Sequence, residues 1–149
     1  MPLLSMHHQH HVGATVFILA GEIDLACAPG LHHFITEARR RPEDHLIFDM
    51  AGVTFMDSMG LRVLLDAFVL AERHGAAVHL TALHGSPARL LAITGLDQHF
   101  QLHSSTGIAL ATVAGAAAAA PHLRAPEGGA AETAPDRLPD QGPGPAESG

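Results

Sequence analysis

The chain has 149 residues, 47% of them hydrophobic, which is enough to bury one good core but short for two. Its 15 acidic and 8 basic residues give a formal net charge of -7, and every basic residue is an arginine. A negative chain without Trp or Tyr lacks a basic surface and most of the stacking side chains of nucleic-acid-binding proteins, which argues against that class.

Cysteine content and hydropathy predict a cytosolic protein. The single cysteine, Cys27, rules out an internal disulfide and fits a reducing compartment. No apolar run approaches the roughly 18 residues of a membrane span. The first residues, Met1 to Ser5, lack the charged region and long apolar core of a signal peptide.

Histidines crowd the first dozen residues at His7, His8, His10 and His11, and the segment otherwise shows no period. We interpret residues 1–12 as a flexible lead-in or a weak edge strand. A histidine run without Cys or carboxylate partners on a rigid element binds transition metals adventitiously, so we predict no metal site there.

Short apolar runs rich in β-branched and aromatic residues indicate the strands of a buried sheet. The first run is broken by the polar stretch that begins at Gly21, and the second is apolar enough to be central. The runs cover Ala14 to Ala20, Leu46 to Met50 and Ala77 to Leu83, and Phe100 to Leu102 is a candidate for a last brief strand.

Two amphipathic helices are predicted between these strands. The first begins near Pro29, which suits the first turn of a helix, and Pro42 stops it. Its last turn is predicted to hold Arg39 to Arg41, where cations oppose the helix dipole. The second helix keeps apolar residues three and four apart from Met59 onward and ends at Gly75.

Two further helices are predicted in the second half of the chain. Ser86 is expected to cap the third helix, with Pro87 at its first helical position and Gly95 at its end. Ser104 or Ser105 is expected to cap a fourth helix that continues through an alanine-rich stretch to about residue 120.

Strands that alternate with helices predict an α/β domain in which crossover helices cover a largely parallel sheet. Four to five strands and about four helices fit residues 13–120. Beyond them, residues 121–149 hold six of the ten prolines and only Leu123 and Leu138 as large apolar residues. That composition cannot offset the entropy of ordering, so we predict a disordered tail.

The run Gly52 to Leu61, between the second strand and the second helix, is interpreted as a loop that leads into the helix. Asp57 and Ser58 are both preferred N-cap types, because a short side-chain oxygen can accept hydrogen bonds from the first turn. One of them suffices as a cap. The other lies where a helix N-terminus can hold an anion such as phosphate, which makes this stretch the candidate functional site.

Three runs together resemble, in order and spacing, the STAS domain of bacterial anti-sigma factor antagonists. The runs are Gly21 to Leu25, Leu46 to Met50 and Phe55 to Leu61, and the third is the most specific. The resemblance covers roughly Gly13 to Thr112 and implies a single STAS-like domain with a mixed central sheet. The family pattern often has a second serine where this chain has Met59.

In that family the aligned serine is phosphorylated by the anti-sigma factor, a serine/threonine kinase of the histidine-kinase-like ATPase fold. Only the unphosphorylated antagonist binds this kinase tightly, which frees the sigma factor, and a serine phosphatase resets the switch. The resemblance therefore implies that Ser58 is the phospho-acceptor, that Asp57 lies in the kinase contact and that the loop of Asp24 approaches the same surface. ATP and magnesium belong to the kinase, so no cofactor is expected, and the chain itself is not expected to be an enzyme.

Met59, Gly60 and Arg62 complete the predicted partner-binding set. Arg62 lies four residues after Ser58, and helical side chains lean toward the N-terminus. We therefore hypothesise that its guanidinium reaches a phosphate on Ser58.

Other interpretations stay open. Ser58 as a hydrolase nucleophile with a histidine base is disfavoured, because the chain lacks a Gly-x-Ser-x-Gly elbow and Asp57 would oppose an oxyanion. A ligand-sensing or scaffold STAS module in a stress-signalling complex would work without phosphorylation. Asp24 is equally well explained as a turn residue, and Cys27 is better explained as a small helix-start residue than as a reactive thiol.

Overall fold

In the computed structural model of the chain, residues 4–119 are described. They form one five-stranded mixed sheet with four α-helices, as the α/β prediction requires. The elements are β1 Ser5–His11, β2 Ala14–Ile23, α1 Ala28–Ala38, β3 His45–Met56, α2 Ser58–Arg73, β4 Val78–Thr81, α3 Gly85–Thr94, a 3₁₀ turn Leu96–Gln98, β5 Gln101–His103 and α4 Thr106–Ala119. The predicted disordered tail, residues 121–149, lies outside the described residues.

The strands lie in the sheet in the same order as in the sequence. β1 pairs antiparallel with β2 through a tight turn at Gly13, whose φ of 81° favours glycine. The pairs β2–β3, β3–β4 and β4–β5 are parallel. Each parallel pair needs a crossover connection, and α1, α2 and α3 supply these connections in turn. The predicted largely parallel sheet is therefore confirmed.

Apolar side chains are buried on both faces of the sheet. On one face, α1, α2 and α3 pack over a core in which the rings of Phe17 and Phe48 stack 5.0 Å apart. On the other face, Ala109 and Val113 of α4 pack on β2 and β3. Burial on both faces explains why the central strands are nearly continuous apolar runs. Among the helices within residues 4–119, none is long and apolar enough to cross a membrane.

The first dozen residues differ from the flexible lead-in that was one of the two interpretations. Residues Ser5–His11 form an edge strand, paired with β2 from Ser5 opposite Ala20 to His11 opposite Ala14. This ladder satisfies the backbone without requiring a regular apolar face, which is why the pattern was weak. The edge-strand interpretation is therefore confirmed for Ser5–His11.

The interpretation of residues 52–56 as a loop is wrong, and so is the predicted break of β2 at Gly21. Both strands run on side by side, to Ile23 in β2 and to Met56 in β3, with two register shifts on the way. Glycine permits this close approach, because a Cβ on Gly52 would lie 2.8 Å from the Cβ of Ala20. Paired strands thus carry the chain directly to the start of α2.

Helix termini account for the remaining differences. The first helix ends at Ala38, so Arg39 to Arg41 follow it and do not form its last turn, because Arg39 already has an extended backbone. Ser86 does not cap α3, because the helical backbone begins one residue earlier. The predicted stop at Gly95 is confirmed by its left-handed φ of 74°, and Ser105 is the cap of α4 through a 3.2 Å bond to a first-turn N–H.

Candidate functional site

Asp57 joins the end of β3 to the start of α2. Its Oδ1 accepts hydrogen bonds from the backbone N–H groups of Met59 at 2.9 Å and Gly60 at 3.0 Å. Its own backbone N–H donates to the carbonyl oxygen of Ile23 at 3.1 Å. Of the two predicted caps, Asp57 is therefore the one that satisfies the first turn of the helix.

The second carboxylate oxygen of Asp57 binds the loop that follows β2. The backbone N–H of Leu25 donates to Oδ2 at 3.0 Å. In the same loop, Asp24 Oδ1 accepts from the backbone N–H of Cys27 at 3.2 Å, and the Asp24 carbonyl accepts from Cys27 and Ala28. Asp24 thus has the turn role that one interpretation gave it, and its loop also lies beside Asp57, as the other interpretation requires.

Ser58 is the first residue of α2 and is exposed. Its hydroxyl makes no hydrogen bond to any side chain or backbone group within residues 4–119. Because Asp57 provides the cap, the serine is not needed for helix stability and its oxygen is accessible from solvent. This is the arrangement that a phospho-acceptor requires.

Gly60 is buried where α2 meets the end of β2. A Cβ at this position would lie 2.6 Å from Cγ2 of Ile23 and 2.7 Å from its carbonyl oxygen. The prediction that Gly60 contacts a partner is not supported by this position, because the residue lies under the surface and lets two elements approach closely. Met59, in contrast, is 41% exposed and remains available for contact.

Exposed apolar side chains flank the serine. Leu25 is 65% exposed, and Phe55 and Met59 are each 41% exposed. We call these three residues the apolar rim. Leu25 and Phe55 were missed by sequence reasoning, although both lie inside the runs that carried the resemblance. Large apolar residues at the polar ends of two strands were the available signal.

Arg62 is exposed and pairs with a residue one turn further along α2, not with Ser58. Its Nε lies 3.5 Å from Oδ1 of Asp66, and the two side chains are 70% and 47% exposed. Exposed pairs at this spacing contribute about 0.3 to 0.5 kcal/mol, so the arginine is held only weakly. The hypothesis that it reaches a phosphate on Ser58 stays a prediction.

Cys27 is a structural residue in the turn before α1. Its thiol accepts from the backbone N–H of Asp24 at 3.2 Å and donates to the carbonyl oxygen of Glu22 at 3.3 Å. Burial raises the pKa of the thiol, so it stays protonated at neutral pH. These contacts support its interpretation as a small helix-start residue. Within residues 4–119, no group of three or more His, Cys, Asp or Glu side chains is arranged to hold a metal ion.

Together these features define a small α/β domain that presents an exposed serine at a helix N-terminus. A model of the STAS domain family matches residues 5–109. The chain belongs to the STAS domain family, as the sequence motifs indicated.

Two relatives and one solved structure that resemble this chain are named as anti-sigma factor antagonists. The anti-sigma-F factor antagonist RsfB of Mycobacterium tuberculosis is 34% identical over 107 residues, which are 70% of this chain and 85% of the relative. An anti-sigma F factor antagonist of Paenibacillus polymyxa is 30% identical over 94 residues, 62% of this chain and 80% of the relative. Among solved structures, an anti-sigma factor antagonist from Mycobacterium paratuberculosis aligns with a TM-score of 0.65 and 28% identity over 75% of this chain and 95% of that one.

Proposed function

We propose that this protein is an anti-sigma factor antagonist that works as a phosphorylation switch. In its unphosphorylated form it binds an anti-sigma factor serine kinase and so releases the sigma factor, and phosphorylation of Ser58 ends the binding. The observation that carries the proposal is the exposed Ser58 hydroxyl beside an aspartate that alone caps the helix. The names of the relatives support the antagonist role.

The hydrogen bonds of the cap determine what a phosphate on Ser58 would do. Asp57 already occupies the N–H groups of Met59 and Gly60, and the N–H of Leu61 donates to the Asp57 carbonyl at 3.0 Å. A phosphate would find few free backbone donors in the first turn, so the helix N-terminus would hold it only weakly. Its main effect is to add roughly 1.5 to 2 negative charges next to an existing carboxylate.

The apolar rim of Leu25, Phe55 and Met59 gives the partner a surface to bury. In the unphosphorylated state the Ser58 side chain is a neutral hydroxyl, which is inexpensive to desolvate. In the phosphorylated state, docking would bury a dianion beside Asp57, and like charges or unpaired ions at an interface cost several kcal/mol. The switch therefore acts on the free energy of binding and leaves the fold intact.

The proposed partners are those that the family resemblance implies. An anti-sigma factor of the histidine-kinase-like ATPase fold supplies ATP and magnesium, and the antagonist supplies only the accepting oxygen. A serine phosphatase removes the phosphate and restores binding. The antagonist is then a regulatory binding protein and not an enzyme.

Intact-mass measurement after incubation with candidate anti-sigma kinases, ATP and magnesium tests the proposal. We expect one added phosphoryl group on the wild type and on Ser104→Ala, a matched control at another exposed serine. We expect none on Ser58→Ala, and no binding of the kinase by Ser58→Asp. Phosphorylation of Ser58→Ala would contradict the assigned acceptor. Tight kinase binding without any phosphorylation of the wild type would instead favour the scaffold interpretation.

A further inference from the structure

Three histidines form a row across β3, β4 and β5. Nδ1 of His45 lies 3.1 Å from Nε2 of His79, and Nδ1 of His79 lies 3.0 Å from Nε2 of His103. The strand register produces the row: His79 pairs with Ile47, two residues after His45, and His103 pairs with Thr81, two residues after His79. Each step therefore crosses one strand and advances two residues, which keeps all three rings on one face of the sheet.

The row lies on the face of the sheet that carries Ile47, which packs with α4. His79 in the middle is 1% exposed, and His45 and His103 at the ends are partly buried. Near the outer end, the hydroxyl of Thr81 is 2.9 Å from that of Thr106 at the start of α4. The row thus crosses β3, β4 and β5, and Thr81, which pairs with His103, contacts the first turn of α4.

The nitrogens of the row can hold only a limited number of protons. Two hydrogen bonds need one proton in each gap between rings, and each end ring has one further nitrogen that faces outward. Three neutral imidazoles bring three protons, two for the gaps and one for an outer nitrogen. A first added proton takes the other outer nitrogen. A second added proton has no place left, because it would set two N–H groups against each other in one gap.

A backbone hydrogen bond determines which ring nitrogens donate and which accept in the neutral row. The N–H of Ala77 donates to Nδ1 of His45 at 3.3 Å, so this nitrogen is an acceptor. Nε2 of His79 is then the donor to His45, and Nε2 of His103 is the donor to Nδ1 of His79. In the neutral row the remaining nitrogen of His103, Nδ1, is therefore the end nitrogen that carries no proton.

Charged groups around the row are few. Asp44 adjoins His45, Asp49 lies on the same face of β3, and Asp97 lines a shallow groove together with His103. The residues of β2 on this face are apolar, and the sequence of α4 from residue 106 to 119 contains no titratable side chain. No carboxylate therefore neutralises a charge on the central ring.

The electrostatics of the two inner rings agree with this geometry. Burial, and to a smaller extent the neighbouring charges of His45 and His103, lower the pKa of His79 to about 4. Burial also lowers the pKa of His45, while Asp44 acts in the opposite direction. Both rings are therefore neutral in the folded protein at physiological pH.

We propose that the His45–His79–His103 row is a pH-sensitive latch, which holds β5 to the sheet while it carries at most one extra proton and releases β5 when it takes up a second. β5 is the element most dependent on it, because this edge strand has three residues and pairs only with β4. Acidification therefore opens the pairing of β4 with β5, within residues 78–103.

Hydrogen exchange of the full chain, measured as protection factors at pH 7.5, 6.5 and 5.5, tests the latch. Below the ordinary imidazole pKa we expect protection in residues 78–103 to fall by about tenfold for each pH unit and each proton taken up. Global unfolding frees the same histidines, so amides of β2 also lose protection as the pH falls, but they should stay better protected than those of β5 at every pH.

Two variants make the test specific. His103→Gln keeps a side-chain donor to His79 but adds no proton, and its amide can turn to accept instead, so we expect the pH response of residues 78–103 to flatten. His33→Gln, at an exposed position of α1, is the matched control and should behave as the wild type. Equal pH responses in His103→Gln and wild type, or protection in β5 as high as in β2 at pH 5.5, would overturn the latch.

Discussion

Two helical glycines show how differently one residue type can act in this domain. Gly60 touches the end of β2, where a Cβ would lie 2.6 Å from the side chain of Ile23, whereas Gly30 in α1 has no atom within 4 Å of the corresponding position. The first glycine is required by packing. The second only costs backbone entropy in a helix.

This difference gives a prediction at the residue scale. Gly60→Ala should lower the free energy of unfolding by about 1 to 3 kcal/mol, since the added methyl forces α2 away from β2. Gly30→Ala should raise it by roughly 0.5 to 1 kcal/mol, because alanine is the better helix former. Urea denaturation of both variants measures the two effects. Stabilisation by Gly60→Ala would show that α2 has room for a methyl group where it packs on β2.

At the scale of elements, the sequence predicted the alternation of strands and helices well but misplaced several of their ends. Hydrophobic periodicity depends on which face is buried, and that signal is strong for α2. The extension of β3 through Gly52 to Met56 could not be predicted in this way, because its side chains are mostly exposed and only pairing with β2 makes it a strand. For the same reason, the sequence did not distinguish an edge strand from a flexible lead-in at β1.

In the candidate site, too, local features could be predicted from the sequence and contacts between distant residues could not. Local chemistry identified Asp57 and Ser58, because caps are local signals, but it could not decide which of the two would cap the helix. The apolar rim depends on the turn at Leu25 meeting Asp57 across the fold. The row of His45, His79 and His103 depends on strand register, and no spacing in the sequence connects residues that lie on three strands.

The apolar rim supports a prediction that rests on the proposed function. Met59→Ala removes an exposed apolar side chain beside Ser58, and we expect it to weaken kinase binding by about tenfold, the equivalent of about 1.4 kcal/mol. Ile93→Ala is the matched control, because Ile93 is 83% exposed on α3. Calorimetric titration of each variant against the kinase measures the change. Equal affinities of the two variants would exclude Met59 from the interface.

At the scale of the whole molecule, His79 makes stability depend on pH. Its pKa is about 4 in the folded protein against an ordinary value of 6.5, so between these values the unfolded chain takes up a proton that the folded chain does not. Unfolding then binds protons and is favoured as pH falls. The stability contributed by the neutral ring is complete above pH 6.5 and is lost progressively toward pH 4.

We therefore expect the free energy of unfolding to fall by about 3 kcal/mol through this ring as the pH drops from 6.5 to 4. Urea denaturation at pH 7.5, 6.5, 5.5 and 4.5 measures the slope. In His79→Leu the slope should be smaller, whereas in His33→Gln it should match the wild type. Identical slopes of the free energy of unfolding against pH in wild type and His79→Leu would mean that other titratable groups cause the loss of stability at acid pH.

The Asp57 carboxylate accepts hydrogen bonds both from the loop at Leu25 and from the first turn of α2, and so acts as a clamp between them. In the proposed switch this clamp is complete before Ser58 is phosphorylated, so the backbone around the serine is expected to be the same in both chemical states. A partner that distinguishes the two forms then responds mainly to the added phosphoryl group and its charge. Discrimination of that kind weakens as mobile ions screen the charges, over about 8 Å at physiological ionic strength. We therefore expect the partner to distinguish the phosphorylated from the unphosphorylated form less well as the ionic strength rises.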